Sequence, residues 1–475
     1  MNTNSVEKNS LLFYWSCLAA SIFILLSSFS GFERHIDLRV IEHDKALYYG
    51  YLPALFIYDD ITLANPRKPI NNDEVRIYAQ SSGYKDKKFI KMTCGVALAN
   101  LPFFLLADIH CSITNEFKSG FTEPYHRWVG YGQLFYVFVG LFFLAAFLKK
   151  YFDLKVVGIT ILTLTLATNL YQYTVRDPGM AHGYLFAFSC IFIFYLDKFW
   201  QTFKTKHAAI IGFIFGWMFL IRPTMIIYAP LILLWGLKYS SLKDNYFFKK
   251  ESIKHWLVLL ATAFIPLIPQ LIYWKLISGN FIYYSYTIES FFWGDPQFWN
   301  YLMSYKKGWL VYTPVMFFGI IGLTLLYKNN SFKKVLLPLT LVILLNVYIN
   351  SCWWNWWFGG GFGCRTMIDV YMILGIGFAN LYGFLQQRLK KIGLIIISLI
   401  VIPFTFVNIF QTYQYHCGFL HYDGMTKESY WYIFMKPPSK VDYSILQGTW
   451  KYSNCENALK GYRELHEVNG PDVKE

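Results

Sequence analysis

Residues 11–32, LLFYWSCLAASIFILLSSFSGF, form an apolar run without a single charged residue. About 20 apolar residues are enough for a helix to cross the hydrocarbon core of a bilayer. The run is longer than the core of a signal peptide, and no small-residue cleavage site stands out. We therefore expect it to be a retained membrane anchor.

The composition extends this expectation to the whole chain. Of its 475 residues, 55% are hydrophobic, 20% are aromatic and only 15% are charged, whereas a soluble domain carries about 25% charged residues. The net charge of +14 could suggest nucleic acid, but the Lys and Arg residues cluster between apolar runs and no nucleic-acid motif is present. The composition predicts an all-α polytopic membrane protein.

Apolar segments recur along the chain, and several are shorter than the ~20 residues of an untilted span. They number about eleven and lie at 11–32, 129–148, 156–173, 183–196, 208–221, 224–237, 256–277, 309–327, 335–350, 366–385 and 392–410. We expect about eleven transmembrane helices, in a membrane domain of residues 1–410 followed by a short tail of residues 411–475.

The basic residues fall in alternate short loops. They are Lys149, Lys150, Lys155, Lys198, Lys204, Lys206, Lys238, Lys243, Lys249, Lys250, Lys254, Lys328, Lys333, Lys334, Arg388, Lys390 and Lys391. The positive-inside rule places these loops and the N-terminus in the cytoplasm, and the tail outside. Counting residues 94–110 as a span would break this alternation, so we expect that segment to be a membrane-surface helix in a large external loop, residues 33–128. The polar stretch 65–91 of that loop predicts an irregular surface segment.

The first external loop also carries DLRVIEHDKALYYGYLPALFIY, residues 37–58. Asp37, Glu42 and Asp44 emerge directly after the first span, where a carboxylate could act as a general base on a substrate at the lipid boundary. The alternative is that these acids only solvate a loop. Asp59 and Asp60 lack a second acidic or histidine cluster, so we expect no metal site.

The cations of the short external loops are Arg176, Arg222, Lys306, Lys307 and Arg365. Arginine is suited to bidentate contact with phosphate oxygens, and several converging cations would bind a lipid-linked phosphate. Arg222 and Arg365 are the stronger candidates because their neighbours are mostly apolar or glycine. Lys306 and Lys307 could equally meet lipid headgroups.

Tryptophans crowd one external loop, at Trp353, Trp354, Trp356 and Trp357, with Asn355 between them and a glycine run after them. Their number exceeds what membrane anchoring needs. Flat indole faces suit stacking on a sugar or an isoprenoid, and glycines allow close backbone approach. The alternative is a purely structural hairpin.

Two further groups have simpler interpretations. His182 could carry a proton, but a loop histidine hydrogen-bonded to Asp177 is favoured. The eight cysteines show no C-x-x-C spacing, which argues against zinc or redox chemistry. Cys417 and Cys455, both in the tail, could pair.

Several motifs occur in one order along residues 11–410. They are YYGYLPA at 48–54, residues 95–107 with LPFF, DPGMAH at 177–182, IRPT at 221–224, YKKGWLVYTP at 305–314 and WWNWWFGGGFGCR at 353–365. Together they resemble the bacterial membrane glycosyltransferases of the GT-C superfold, and are similar to the protein O-mannosyltransferases and the aminoarabinose transferase of lipid A.

The resemblance implies a polyprenyl-phosphate sugar as donor, an external active site in the bacterial cytoplasmic membrane, inversion at the anomeric carbon, and two membrane-surface helices in the first loop. It also implies that an Asp at the start of that loop is the base, which corresponds to Asp44. Relatives commonly have Asp-Glu there, whereas Asp44 is followed by Lys45, which leaves Glu42 or Asp37 as substitutes. The tail is too short for the large soluble domain of oligosaccharyltransferases.

We therefore expect Asp44 to deprotonate an acceptor hydroxyl on a protein, lipid or glycan, while arginines neutralise the departing phosphate without a metal or other cofactor. The expected donor-phosphate ligands are Arg222, Arg365, Lys306, Lys307 and Arg176, and the expected sugar or lipid ligands are Trp353, Trp354, Trp356, Trp357, Tyr48, His182 and Asp177.

Two other classes remain open. A flippase or transporter of lipid-linked sugars should show paired half-chain repeats and polar residues at mid-membrane, and the sequence shows no such repeat. A non-catalytic assembly subunit would tolerate loss of Asp44 and Arg222 together.

Overall fold

The computed structural model describes residues 3–35, 40–64, 77–239 and 249–463. Asp37, Lys243 and residues 65–76 of the polar stretch lie outside the described residues. The chain forms two compact units: the first contains residues 1–23, 148–172 and 288–475, and the second contains residues 24–147 and 173–287. The tail is therefore part of the first unit.

Most of the described residues are helical. The α-helices are α1 (Thr3–His35), α2 (Asp44–Tyr49), α3 (Tyr51–Phe56), α4 (Gly95–Thr114), α5 (Glu123–Leu148), α6 (Leu154–Leu166), α7 (Leu170–Val175), α8 (Ala181–Thr202), α9 (Thr205–Ile221), α10 (Ala229–Leu234), α11 (Ile253–Phe264), α12 (Ile268–Ser278), α13 (Phe298–Met303), α14 (Trp309–Tyr312), α15 (Met316–Thr324), α16 (Leu336–Cys352), α17 (Tyr371–Leu389), α18 (Lys391–His416), α19 (Lys427–Ile433), α20 (Tyr443–Thr449) and α21 (Cys455–Leu459). Short 3₁₀ segments lie at Pro223–Tyr228, Trp235–Lys238, Lys250–Ser252, Ile265–Leu267, Leu325–Lys328, Lys333–Val335, Arg365–Val370 and Pro438–Lys440.

This architecture confirms an all-α membrane protein. Within the described residues, 8 helices are long and apolar enough to cross a membrane: Asn9–Ser30, Gly95–Thr114, Glu123–Leu148, Ala181–Thr202, Lys250–Ser278, Lys333–Cys352, Arg365–Leu389 and Lys391–His416. Shorter apolar helices lie at Leu154–Leu166, Thr205–Ile221, Pro223–Lys238 and Met316–Lys328. The predicted apolar segments are thus mainly helical, with breaks at residues 167–169 and 313–315, while the number of spans stays a prediction.

The predicted first external loop contains α2, α3 and α4. Helix α4 meets the same length and composition criteria as the other candidate spans, so its place on the membrane surface also stays a prediction. The described part of the polar stretch is more ordered than we expected. It forms an antiparallel hairpin in which β1 (Gln80–Ser81) pairs with β2 (Lys88–Phe89).

Glycines set the closest helix contact in the first unit, between α15 and α17. A Cβ atom on Gly322 would lie 1.9 Å from the carbonyl oxygen of Gly377, and one on Gly377 would lie 2.2 Å from that of Gly319. Helix backbones approach this closely only where no side chain intervenes. The apolar helices therefore pack through a glycine seam.

The second unit uses the same device between α9 and α11. Gly212 and Gly216 form a G-x-x-x-G motif on α9, where added Cβ atoms would lie 2.2 Å from the Leu259 oxygen and 2.0 Å from the Ala263 oxygen. Small residues four apart fall on one helix face. The motif therefore lets α11 lie directly against the α9 backbone.

A buried ion pair also stabilises the second unit, at the end of α8. The carboxylate of Asp197, fully buried, accepts hydrogen bonds from Lys238 at 3.0 Å, Tyr239 at 2.8 Å and Trp235 at 3.3 Å. A buried charge is tolerated when it is paired and hydrogen-bonded. Lys238, expected in a solvated basic loop, instead holds the segment after α10 against α8.

Two pairs of loops in the first unit contact each other. At one end, the basic loop after α5 meets the loop before α16, where the rings of Phe152 and Phe332 stack at 5.9 Å. Elsewhere, the loop after α12 and the loop after α16 join through backbone hydrogen bonds from Phe292 to Cys352 at 2.7 Å and from Trp354 to Ser290 at 3.1 Å.

The glycine seam generates a prediction about stability. Gly322→Ala should destabilise the protein by about 1–3 kcal/mol, because the new methyl group overlaps the Gly377 carbonyl and forces the helices apart. The matched control is Gly448→Ala in α20, where an added Cβ meets nothing within 4 Å. Thermal unfolding followed by tryptophan fluorescence in detergent should show a lowered midpoint for Gly322→Ala alone. Equal midpoints for the two variants would contradict the seam.

Candidate functional site

The candidate site lies in the first unit, where three stretches of chain meet: residues 288–308, residues 353–365, and residues 417–463, which we call the C-terminal segment. Lys307 joins them, since its ammonium donates to the carbonyl oxygens of Gly361 and Tyr422. Only 2% of the Lys307 surface is exposed. A single lysine therefore links the loop after α13, the glycine run and the C-terminal segment.

Lys306 lies beside it and is also buried, with 3% of its surface exposed. Its ammonium donates to the Asp423 carbonyl oxygen at 2.8 Å and lies 3.3 Å from the Asp423 carboxylate. It also sits over the Trp357 ring, 5.1 Å from the ring centroid, within the range of a cation–π contact. Burial of both lysines excludes the alternative that they simply meet lipid headgroups.

Arg365 completes a group of three cations, which we call the cation cluster: Lys306, Lys307 and Arg365. Arg365 is half-buried, and its guanidinium donates to the Gly360 carbonyl oxygen at 3.0 Å. It begins the 3₁₀ segment that leads into α17. Of the three cations, Arg365 is the most accessible, and its planar group suits a phosphate.

The cation cluster carries an electrostatic cost. Burial lowers the pKa of Lys307 to about 7, the nearby Asp423 opposes this shift, and the charges of Lys306 and Arg365 add to it. Burial likewise lowers the pKa of Lys306, again opposed by Asp423. An anion placed among these cations would relieve their repulsion and favour the charged form of Lys307.

The glycine run explains how backbone oxygens reach these cations. Gly359 and Gly363 have φ angles of +62° and +58°, a region that side chains disfavour. A Cβ on Gly363 would also lie 2.8 Å from that of Tyr312. The resulting turn presents the carbonyl oxygens of Gly360 and Gly361 to Arg365 and Lys307. We expected close approach to a substrate, and the observed partners are the protein's own cations.

The four tryptophans are largely interior. Trp356 is 1% exposed, and its indole N–H donates to the Arg463 carbonyl oxygen at 3.2 Å. Trp357 is 4% exposed and packs against Trp356, with the ring centroids 5.5 Å apart. Trp354 is 9% exposed. Trp353 is half-buried and its ring lies 4.6 Å from that of Phe291. These contacts support the structural alternative for Trp356 and Trp357, because stacking of a sugar on their rings would require neighbouring residues to move.

The C-terminal segment is anchored by Arg463. Its guanidinium donates to the carbonyl oxygens of Ser351, Cys352 and Trp353 at 3.1, 3.0 and 3.2 Å. It also pairs with Asp295 at 2.8 Å. The last carbonyl groups of a helix lack helical partners and carry partial negative charge, so Arg463 caps α16 and holds the C-terminal segment against the tryptophans.

His421 packs inside the same segment. Its ring lies 4.3 Å from those of both Tyr422 and Trp450, and its Nδ1 accepts from the backbone N–H groups of Asp423 and Gly424 at 3.0 and 2.7 Å. Burial lowers the pKa of His421 to about 4, with the two nearby lysines adding to the shift and Asp423 opposing it. The imidazole is therefore neutral at pH 7, and it orders the turn that supplies the Tyr422 carbonyl to Lys307.

The second unit contains the predicted base. Asp44 is the first residue of α2 and is half-buried, as is Glu42 just before the helix. The next residue, Lys45, forms an ion pair with Asp177 at 2.5 Å, with side-chain exposures of 12% and 23%. The DPGMAH turn thus packs against the start of α2. Lys45, which stands where the resemblance leads us to expect Glu, has Asp177 as its partner.

The other predicted residues of this unit are placed as follows. We expected His182 in a loop, but it is the second residue of α8. It is 3% exposed, and its ring lies edge-on to that of Tyr173, with the ring centroids 6.3 Å apart. Tyr48 is 7% exposed within α2. Arg176 is half-buried beside Asp177.

Arg222 lies at the break between α9 and the following 3₁₀ segment, in extended conformation and half-buried. The start of α4 abuts this break. The indole of Trp217 donates to the Gly95 carbonyl oxygen at 3.0 Å, and a Cβ on Gly95 would lie 2.8 Å from the Ile221 backbone nitrogen. The Gly95 and IRPT motifs of the sequence therefore meet in space.

Sequence reasoning missed four residues that shape the site: His421, Tyr422, Asp423 and Arg463. One signal could have found them. The segment is rich in aromatic residues, and Leu420, Met425, Tyr430, Ile433 and Leu446 form a buried core with Tyr312 and Phe362. Such a composition predicts a packed element rather than a solvated tail.

Within the described ranges, no three His, Cys, Asp or Glu side chains lie close enough to hold a metal ion. Cys417 and Cys455 are both free thiols in this structure, so the pairing we considered does not occur here.

Comparison with known proteins adds no relative. No family model matches the chain, and no curated protein matches its sequence.

Lys307 generates a prediction about pH. The unfolded chain binds a proton at this lysine up to its ordinary pKa of 10.5, whereas the folded protein releases it near pH 7. Folding therefore releases a proton between about pH 7 and 10.5, and this group makes stability rise with pH across that window. The thermal midpoint of the wild type should be higher at pH 9.5 than at pH 7.

The matched variants are Lys307→Met and Lys440→Met, the second at an exposed lysine of the same unit. The rise should be clearly smaller in Lys307→Met, where only the lowered pKa of Lys306 still contributes, and should persist in full in Lys440→Met. An unchanged rise in Lys307→Met would show that other groups cause it.

Proposed function

We propose that this protein is an integral-membrane glycosyltransferase that moves a sugar from a polyprenyl-phosphate donor to an acceptor hydroxyl, with inversion at the anomeric carbon. In this proposal it resides in a bacterial cytoplasmic membrane, with its N-terminus in the cytoplasm and its active site and C-terminal segment on the external side. Its partners are membrane lipid, the lipid-linked sugar, and a protein, lipid or glycan acceptor.

The observation that carries the proposal is the cation cluster. Three positive side chains are gathered around a glycine turn, two of them buried at an electrostatic cost that Asp423 only partly offsets. A purely structural junction could use neutral hydrogen-bonding groups at lower cost. Fixed cations near a departing phosphate stabilise its growing charge without reorganising, which is a large effect in catalysis.

Within the cluster the roles differ. The accessible guanidinium of Arg365 contacts the phosphate oxygens, and the glycine turn fixes it through Gly360. Lys306 and Lys307 contribute positive potential from the interior. Phosphate binding raises the pKa of Lys307 from about 7, so the protein takes up a proton when the donor binds near neutral pH.

The acceptor side of the reaction needs a base. In the proposal Asp44 removes the proton of the acceptor hydroxyl, the acceptor oxygen attacks the anomeric carbon, and the bond to the donor phosphate breaks. The phosphate leaves as a dianion and the new glycosidic bond has the opposite configuration. Glu42 is the substitute if Asp44 does not serve, and Arg222 and Arg176 remain candidate phosphate ligands.

The test measures loss of polyprenyl-phosphate sugars by mass spectrometry of lipids incubated with purified protein. Asp44→Asn should slow the loss by about 10²–10⁴-fold, because general-base catalysis contributes that much. Arg365→Gln should slow it by about 10²–10³-fold, the usual effect of removing one transition-state donor. The controls are Asp86→Asn and Arg388→Gln, both at exposed positions, which should behave as wild type.

Each result has a defined meaning. Near-normal turnover in Asp44→Asn would show that Asp44 is not the base. If folded wild-type protein leaves every lipid-linked sugar chemically intact but moves it between leaflets of a vesicle, the protein is a transporter. A protein that does neither is a non-catalytic assembly subunit.

A further inference from the structure

A cavity of about 290 Å³ opens beside the cation cluster, entirely within the first unit. Its walls are residues 299–306, which contain most of α13, and parts of the C-terminal segment on either side of α20. Its size is near the lower end for small-ligand pockets, about 300 Å³. The cavity is therefore large enough to consider for a small ligand or the end of a larger one.

Charge is the first feature of this cavity. Among the described residues that line it are Lys306, Lys427 and Lys451, and none of those lining residues is acidic. Lys306 is buried to 97% of its surface, and the one carboxylate that pairs with it, Asp423, is not part of the lining. Three lysines that line one cavity favour an anionic ligand.

Neutral hydrogen-bonding groups are the second feature. The lining also includes Asn300, Ser304 and Ser453. Within the described residues, the buried hydroxyl of Ser453 has no hydrogen-bond partner, a state that costs free energy unless a ligand or water satisfies it. These groups can bind hydroxyls, which a bare inorganic anion does not offer.

Aromatic rings are the third feature. Tyr305 and Tyr452 line the cavity, and Trp299 lies at its edge with 73% of its surface exposed. A sugar ring has an apolar C–H face and polar edges, so it can pack on an aromatic ring while its hydroxyls bind polar groups. Lysines, hydroxyl-binding groups and aromatic rings together match a charged sugar.

We propose that this cavity binds an anionic saccharide, a sugar that carries a phosphate or a carboxylate, and that this sugar is the head of the acceptor. The assignment of this sugar to the acceptor rests on the proposed function. Binding of an anionic sugar does not, because Lys427 and Lys451 take no part in the transfer chemistry proposed above. The binding site itself follows from the cavity.

The test measures binding to the purified full-length protein by isothermal titration, with glucose 6-phosphate, glucuronic acid, glucose and inorganic phosphate as probes. The three sugars differ only at C6, so they separate phosphate, carboxylate and neutral chemistry. At least one anionic sugar should bind about tenfold or more tightly than glucose and than inorganic phosphate, since one charge-assisted contact contributes that much. Raising the salt concentration should weaken its binding.

The matched variants assign the binding to this cavity. Lys427→Gln/Lys451→Gln should weaken binding of the anionic sugar by about tenfold or more, with an unchanged thermal midpoint. Lys440→Gln/Lys460→Gln, at two exposed lysines outside the cavity, should bind as wild type. Equal binding of glucose and the anionic sugars, binding of none of them, or no effect of the Lys427/Lys451 substitutions would overturn the proposal.

The same preparations separate this proposal from the transferase proposal. Selective binding of an anionic sugar by a protein that leaves lipid-linked sugars intact would contradict glycosyl transfer and support the saccharide site. Consumption of the lipid-linked sugar without selective binding would support transfer and contradict the saccharide site.

Discussion

The burial of the Lys307 ammonium is the constraint on which the candidate site depends. A charged lysine in the interior is costly unless backbone oxygens surround it, and here the oxygens come from Gly361 and Tyr422. Neither carbonyl would be in place without local features of its own. The glycine turn needs the positive φ angles of Gly359 and Gly363, and the turn before α19 needs the stacked ring of His421.

The C-terminal segment is therefore part of the site. Arg463 fixes it to the end of α16, and its aromatic core packs on Tyr312 and Phe362, next to the glycine turn. The C-terminal segment covers Lys306 and Lys307, which the sequence predicts only to lie in a short loop. Their repulsion is retained in the folded protein, which is the kind of strain that an anionic ligand relieves.

Much of the fold could be predicted from the sequence because apolar runs of sufficient length have few alternatives to helix in a membrane. Alternation of the basic loops predicted the side of the membrane on which each loop lies, and that topology stays a prediction. In the first unit the loops after α12 and α16 meet through backbone hydrogen bonds. Sequence reasoning did not single out the glycines on α9 and α15 that let α11 and α17 pack closely. Partner choice depends on contacts between residues far apart in the sequence, which periodicity does not encode.

The site was predicted unevenly for the same reason. Residue type and neighbours indicated Lys306, Lys307 and Arg365, and these three lie together. Burial could not be read from a short loop, so the lysines were given an exposed alternative that the structure excludes. Trp356 and Trp357 were expected to face a ligand, yet they pack under a C-terminal segment more than 50 residues further along the chain. Asp44 and Arg222 belong to the second unit. There the DPGMAH turn packs against the helix that Asp44 begins, and the start of α4 packs against the break at Arg222.

The most direct measurement is a cryo-electron microscopy structure of the protein in nanodiscs that contain a polyprenyl monophosphate. We expect density for the phosphate against the Arg365 guanidinium, next to the glycine turn, with the Lys306 and Lys307 ammonium groups close to it. A phosphate bound without contact to any of these three cations would contradict it, and would leave the cation cluster as a junction that only holds the C-terminal segment in place.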